Sequence, residues 1–219
     1  FGFGWNFRLS YPRLRQALSR YRQFYKTTMM TGIIYKYRSL ENFKNFVDIL
    51  INNRLYASNY KSMNDPMEGH YYYSEGVLKE NIRNKIFEEK NAQKFCCLAK
   101  NSIHTLMWSH YANGHKGVAI GVKIDKKKYT VKEIEYFNDL TLIDRYDSMT
   151  AKEILSRKLI EWEYEQEVRV FLNNSTNNFI DIEIVEIILG ININDEDENL
   201  IRKLIEKINP KIQIKKNCR

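Results

Sequence analysis

Val118-Ala119-Ile120-Gly121-Val122-Lys123-Ile124 sets large apolar side chains at every second position. A period of two is the signature of a strand with one buried face, and Val131 to Phe137 is its expected partner. Toward the C-terminus, Ile180 to Leu189 reads as a strand closing on Gly190. A helix from Glu198 to Ile208, stopped by Pro210, and a last strand from Lys211 to Lys216 complete that third. Toward the N-terminus, Ile33 to Tyr37 reads as a strand. Ser39 then caps a helix whose Leu40, Phe43, Val47 and Leu50 recur at helical spacing. Leu55 to Ser58 is a short strand, Val77 to Asn91 a helix, Phe95 to Ala99 a buried strand and Leu106 to Ala112 a short helix or turn. Thr150 and Glu153 form a capping box for a helix running to Glu163, and Glu165 to Leu172 is a strand. Strands and helices mix without a repeated βαβ period. The predicted class is therefore α+β, a mixed, mainly antiparallel sheet with flanking helices.

The chain has 219 residues and a formal net charge of +8. Before Glu41 there is no Asp or Glu, but there are Arg8, Arg13, Arg15, Arg20, Arg22, Lys26, Lys36 and Arg38. With these set aside, the remaining 27 basic residues match 27 acidic ones, so the excess is N-terminal. Residues 1–30 thus read as a basic aromatic extension, helical from Pro12 to Lys26, and 31–219 as one α+β domain. Arginines interleaved with Tyr11, Tyr21, Phe24 and Tyr25 suit either a solvated helix packing its aromatics or contact with a nucleic acid. No apolar run approaches the roughly 20 residues of a membrane span, so no membrane partner is expected. No secretory signal is read, and three cysteines without a repeated spacing, Cys96, Cys97 and Cys218, point to a cytoplasmic protein.

Four clusters hold polar side chains where a core would not ask for them. They are Tyr35-Lys36-Tyr37-Arg38-Ser39, Ser58 with Asn64-Asp65-Pro66-Met67-Glu68-Gly69, Met107-Trp108-Ser109-His110-Tyr111-Ala112 with His115 and Gly117, and Trp162 with Tyr164-Glu165-Gln166-Glu167-Val168-Arg169. Strand alternation would put Glu165, Glu167 and Arg169 on one face, as an ion-pair ladder or as a site. Trp108 and Trp162 suit core anchors as well as stacking platforms, and Asn64-Asp65-Pro66 suits a turn as well as a ligand set. His104, His110 and His115 invite a metal reading with Asp65 or Glu68, but no HExxH-type pair is present. No glycine-rich phosphate loop is present either.

These motifs, in this order from about Ile34 to Ile214, resemble the bacterial domain-of-unknown-function family 2971. That resemblance implies a fold relative and no settled reaction. A more distant resemblance is to the ADP-ribosyltransferase superfamily, which places an Arg or His on its first strand, a Ser or Thr on a second, and a Glu, often in a Glu-x-Glu pair, on a later one. Arg38, Ser58 and Glu167 stand in that order here. It implies a split sheet and an enzyme that consumes NAD, as a bacterial toxin or phage-defence effector modifying protein or nucleic acid. Glu167 would stabilise the ribosyl cation, Arg38 would grip the pyrophosphate, Ser58 would orient the glutamate or the ribose, and Glu165 would position the acceptor. Tyr60, Asn64, Asp65, Trp108, His110 and Tyr111 complete the expected NAD-binding set. Two alternatives are a metal-dependent nuclease holding a divalent ion on Asp65, Glu68 and His110, and a non-catalytic ligand sensor.

Overall fold

The computed structural model describes residues 32–143, 149–173 and 177–217. The N-terminal extension, with its expected helix from Pro12 to Lys26, and Cys218 lie outside the described residues.

The alternating stretch forms β5 (Val118–Lys123), in the middle of the sheet. Its alternation is real, but both faces are buried. Val118, Ile120 and Val122 pack with Phe46, Ile49, Leu50, Ile201 and Ile205. On the other face, Ala119 packs with Met107, Trp108 and Ile188. The small residues that suggested a solvent face instead let neighbours approach closely: a Cβ on Gly121 would lie 2.7 Å from Glu186 Cγ.

Both edges of β5 are occupied. β1 (Ile34–Arg38) pairs with it antiparallel from Ile34↔Val122 to Arg38↔Val118. On its other side lies β12 (Glu183–Leu189), also antiparallel. β13 (Gln213–Lys216) runs parallel to β12, because α5 (Asp195–Ile208) carries the chain back across the sheet. Beyond β1 come β4 (Phe95–Ala99), β10 (Glu167–Phe171) and β6 (Thr130–Glu133), all antiparallel. The order is β13-β12-β5-β1-β4-β10-β6, an α+β fold on a mainly antiparallel sheet. No helix among the described residues is long and apolar enough to cross a membrane.

The expected pairing of Val131–Phe137 with β5 does not form. With both edges of β5 taken, a turn at Asp125, whose side chain accepts from the Lys127 amide, leads the chain to the far edge. There Thr130–Glu133 pairs with β10, and β7 (Glu135–Phe137) runs parallel to β9 (Arg157–Leu159). Helix α1 (Phe43–Asn52) begins behind Asn42 and not at Ser39, whose hydroxyl accepts from the Glu41 amide; Asn53 ends it in the left-handed region. Helices α2 (Glu80–Ala92) and α3 (Thr105–Tyr111) form close to where they are expected. A short parallel pair, β3 (Tyr71–Tyr73) with β8 (Thr141–Ile143), was not foreseen. The Ile180–Leu189 strand is broken at Ile182. Its first part, β11 (Phe179–Asp181), pairs with β2 (Arg54–Tyr56).

Two departures shape the site. The capping box of Thr150 and Glu153 forms, but its helix, α4 (Ala151–Ile154), stops well short of Glu163. Continuation would need the Leu155 carbonyl as an acceptor, and that carbonyl takes a 2.6 Å hydrogen bond from the Arg169 guanidinium. The chain then forms β9 and a 3-10 turn over Ile160–Glu165, closed by Gln166 at φ 43°. Glu165 therefore ends a turn and does not begin a strand.

The second departure is in the sheet itself. β4 pairs with β10 over five positions but meets β1 only at Tyr35↔Ala99. Past Tyr35 the two strands part. Lys36 Nζ donates to the Cys97 carbonyl (2.9 Å), and Ser58 pairs its backbone with Phe95. The sheet opens between the second half of β1 and the first half of β4.

Candidate functional site

A cavity of about 290 Å³ occupies that opening. Of the residues singled out in the sequence, Arg38, Ser58, Asn64, Tyr111, Glu165 and Glu167 line it, with Tyr35, Lys36, Tyr37, Tyr56, Lys158 and Arg169. Residues from separate stretches meet there because the splayed strands leave a gap that the 56–64 segment and the 3-10 turn close from the sides.

One wall is a buried ionic network centred on Arg169, which is fully buried. Its Nε donates to Glu167 Oε1 (2.6 Å) and its Nη2 to Glu167 Oε2 (3.1 Å). Nη1 and Nη2 also grip Glu68 through both carboxylate oxygens, at 2.6 and 2.7 Å. With the bond to Leu155, every one of the five guanidinium N–H groups is used. Lys158 Nζ lies between the other carboxylates, 2.6 Å from Glu165 Oε2 and 3.1 Å from Glu167 Oε2. Tyr111 donates its hydroxyl to Glu165 Oε1 at 2.5 Å.

The ion-paired set holds three carboxylates against two cations, so it carries one net negative charge. Burial pushes the Glu167 carboxyl up, but Arg169 and Lys158 outweigh it and hold the group below the usual carboxylate range. Burial likewise opposes the charge on Lys158, and Glu167 and Glu165 override it and raise its pKa. Burial and then the Glu165 hydrogen bond push the Tyr111 phenol up. Burial, followed by the Glu167 charge, raises Cys97 well above the usual thiol range, which keeps it a thiol and not a nucleophilic thiolate.

The opposite wall is basic and less committed. Among the described residues Arg38 and Lys36 make no ion pair. Arg38 Nε is buried and has no hydrogen-bond partner among them, an arrangement that costs about 1–3 kcal/mol unless an acceptor is supplied. An anionic group in the cavity would supply one.

Four of the expected cofactor-binding residues are elsewhere. Trp108 has no exposed surface; its indole donates to the Ser102 carbonyl (2.7 Å) and packs edge-on to Tyr37, so it is a core anchor and not a stacking platform. Tyr60 covers Gly69 and Lys90. Asp65 makes a turn, accepting from the Met67 amide (2.8 Å), beside a separate small hollow. His110 is exposed and does not line the cavity, its ring 6.2 Å from that of Tyr164. Nor do Asp65, Glu68 and His110 gather around a metal position. Glu68 is spent on Arg169, and no group of three His, Cys, Asp or Glu among the described residues could hold a metal ion.

Lys158, Lys36 and Tyr56 are site residues that sequence reasoning did not select. Lys158 was hidden inside an expected helix. Lys36 stands in the Tyr35–Ser39 cluster two positions from Arg38, and that period-two relation was the available signal.

The Met107–Gly117 block does its work indirectly. Trp108 braces Tyr37, and His115 stacks on Trp108 with ring centroids 6.0 Å apart. A Cβ on Gly117 would lie 2.1 Å from the Arg38 carbonyl oxygen. The motif thus fixes the end of β1, where Arg38 enters the cavity.

No curated protein and no solved structure matches the chain. Residues 107–170, from the start of this block to the network strand β10, match the model of a family described as a protein of unknown function, DUF2971. The matched stretch is narrower than the 34–214 span over which the motifs run, but it holds Tyr111, Lys158, Glu165, Glu167 and Arg169. Over that stretch the chain is similar to the DUF2971 family.

Proposed function

We propose that the cleft binds NAD and cleaves its nicotinamide–ribose bond, passing the ADP-ribosyl group to an acceptor. The observation that carries this reading is the polarity of one cavity. Ion-paired carboxylates with a net negative charge stand on one wall. On the other stands Arg38, whose guanidinium has no ion pair among the described residues.

The chemistry asks for both. As the C1′–N1 bond breaks, nicotinamide leaves with the electron pair and becomes neutral, and positive charge develops on the ribose. Glu167, buried and held ionised by Arg169 and Lys158, stabilises that charge. Arg38 is suited to the pyrophosphate by its planar, multi-donor guanidinium. Ser58 orients the ribose. The acceptor's nucleophilic atom bonds to C1′ and its proton passes to Glu165, which Tyr111 and Lys158 hold in place. The basic N-terminal stretch suits an anionic acceptor, protein or nucleic acid.

The test is nicotinamide release from NAD by the full chain, with a thermal shift as the binding readout. Glu167→Gln should bind NAD and lose about a hundredfold or more of the release rate, whereas Arg38→Ala should lose the thermal shift. NAD binding without release by the native protein would make it a ligand sensor. A native protein that shows no binding and no release would sink the proposal.

A further inference from the structure

A second cavity, of about 390 Å³, lies between α1, β2 and β11. It shares two lining residues with the first, Arg38 and Tyr56, so the two hollows meet at the residues that divide them. Its walls are basic and aromatic. Arg54 is locked by Asp48, with Nη2 2.7 Å and Nε 3.1 Å from the carboxylate oxygens. Its guanidinium carbon lies 3.8 Å from the centre of the Phe179 ring. Tyr56 meets the same ring edge-on with 5.7 Å between centroids and is about half exposed. Asp48 pairs with Arg54 and also feels the Lys44 charge, so three cations (Arg38, Lys44, Arg54) against one carboxylate leave the described lining with a net positive charge.

We infer that this second cavity is the subsite for the other base of a pyrophosphate-linked dinucleotide, whose phosphates cross at Arg38. The inference rests on the nucleotide reading of the first cavity and names what lies beyond it. An aromatic ring held under a guanidinium, with an exposed tyrosine beside it, is a stacking platform for a heterocyclic base. The net positive charge of the lining attracts phosphate. A mononucleotide would fill one hollow and leave either the platform or the carboxylate wall idle. A ligand with two bases and an anionic centre uses the whole arrangement, including the buried Arg38 Nε that none of the described residues satisfies.

Calorimetric titration of the full chain with NAD, nicotinamide mononucleotide, AMP and a short single-stranded RNA tests this. NAD should bind about tenfold or more tightly than nicotinamide mononucleotide. Lys44→Ala and Phe179→Leu, at residues that line the second cavity and not the first, should remove that advantage and leave mononucleotide binding unchanged. Lys44→Ala alters an exposed helix residue, so loss of folding is not at issue there. Equal affinities for NAD and nicotinamide mononucleotide, or an NAD affinity indifferent to both variants, would overturn the second subsite while leaving the first intact. Failure of both nicotinamide ligands would remove the NAD reading. AMP binding that falls in both variants would then still uphold a base subsite here, and no AMP binding would overturn it. RNA binding lost in Lys44→Ala without any dinucleotide preference would overturn it in favour of a polynucleotide track.

Discussion

Glu167 and Arg169 stand two residues apart on one strand, and that spacing alone puts both side chains on the same face. What spacing could not convey is that Glu167 is also reached by Lys158, and that Arg169 is claimed by Glu68 from a distant loop. These partners decide the chemistry of Glu167. Because its folded pKa is held below its ordinary value of 4.5, Glu167 contributes stability that is complete above the ordinary carboxylate range. That contribution is lost as pH falls through the lower, folded value. The expected outcome is a fall in melting temperature below about pH 4.5 that is shallower in Glu167→Gln than in the native protein. Melting curves from about pH 2 to 7 provide the check, and parallel slopes would mean that Glu167 is not held ionised. Arg38 was legible as a candidate from its place at a strand end. That its Nε finds no partner among the described residues was not, since that is a property of the surroundings.

Among the elements, strands were legible where their burial was uniform. Phe95–Ala99 forms as expected, because four of its five residues are buried and no polar residue interrupts it. The capping box of Thr150 and Glu153 was legible because capping is local. Where the helix ends was not legible, since the carbonyl it would need next is taken by Arg169 from another strand. Gly117 shows how an element shapes the cavity without lining it. It lets β5 start against the Arg38 carbonyl, and a methyl group there would force the strands apart. Gly117→Ala should cost about 1–3 kcal/mol and weaken ligand binding by displacing Arg38. Urea unfolding with a parallel NAD titration measures both. A variant of native stability would mean that the strands have room to give.

Across the whole molecule, Arg169 ties together segments that share no local sequence relation: the Glu68 loop, the Leu155 turn and β10 itself. Arg169→Met removes the cation and leaves Glu68 and Glu167 buried without it. Breaking a buried pair in this way costs about 3–5 kcal/mol, which urea unfolding would register as a large drop in midpoint. A loss under about 1 kcal/mol, the range of exposed pairs, would show that water reaches the network.

Local pattern in the chain was enough for the α+β class and for most strand and helix positions. It was also enough for the inventory of polar residues out of place in a core, because hydrophobic period, capping and proline or glycine punctuation act over a few residues. Tertiary packing was needed to bury β5 on both faces, to send 130–133 to the far edge, and to separate β1 from β4 after Tyr35. From that separation follows the cavity, and from the cavity the selection of Arg38, Ser58, Asn64, Tyr111, Glu165 and Glu167 over Tyr60, Asp65, Trp108 and His110. The division falls there because a side chain's partners come from other strands, and pairing between strands is set by which edges remain free once the core has closed.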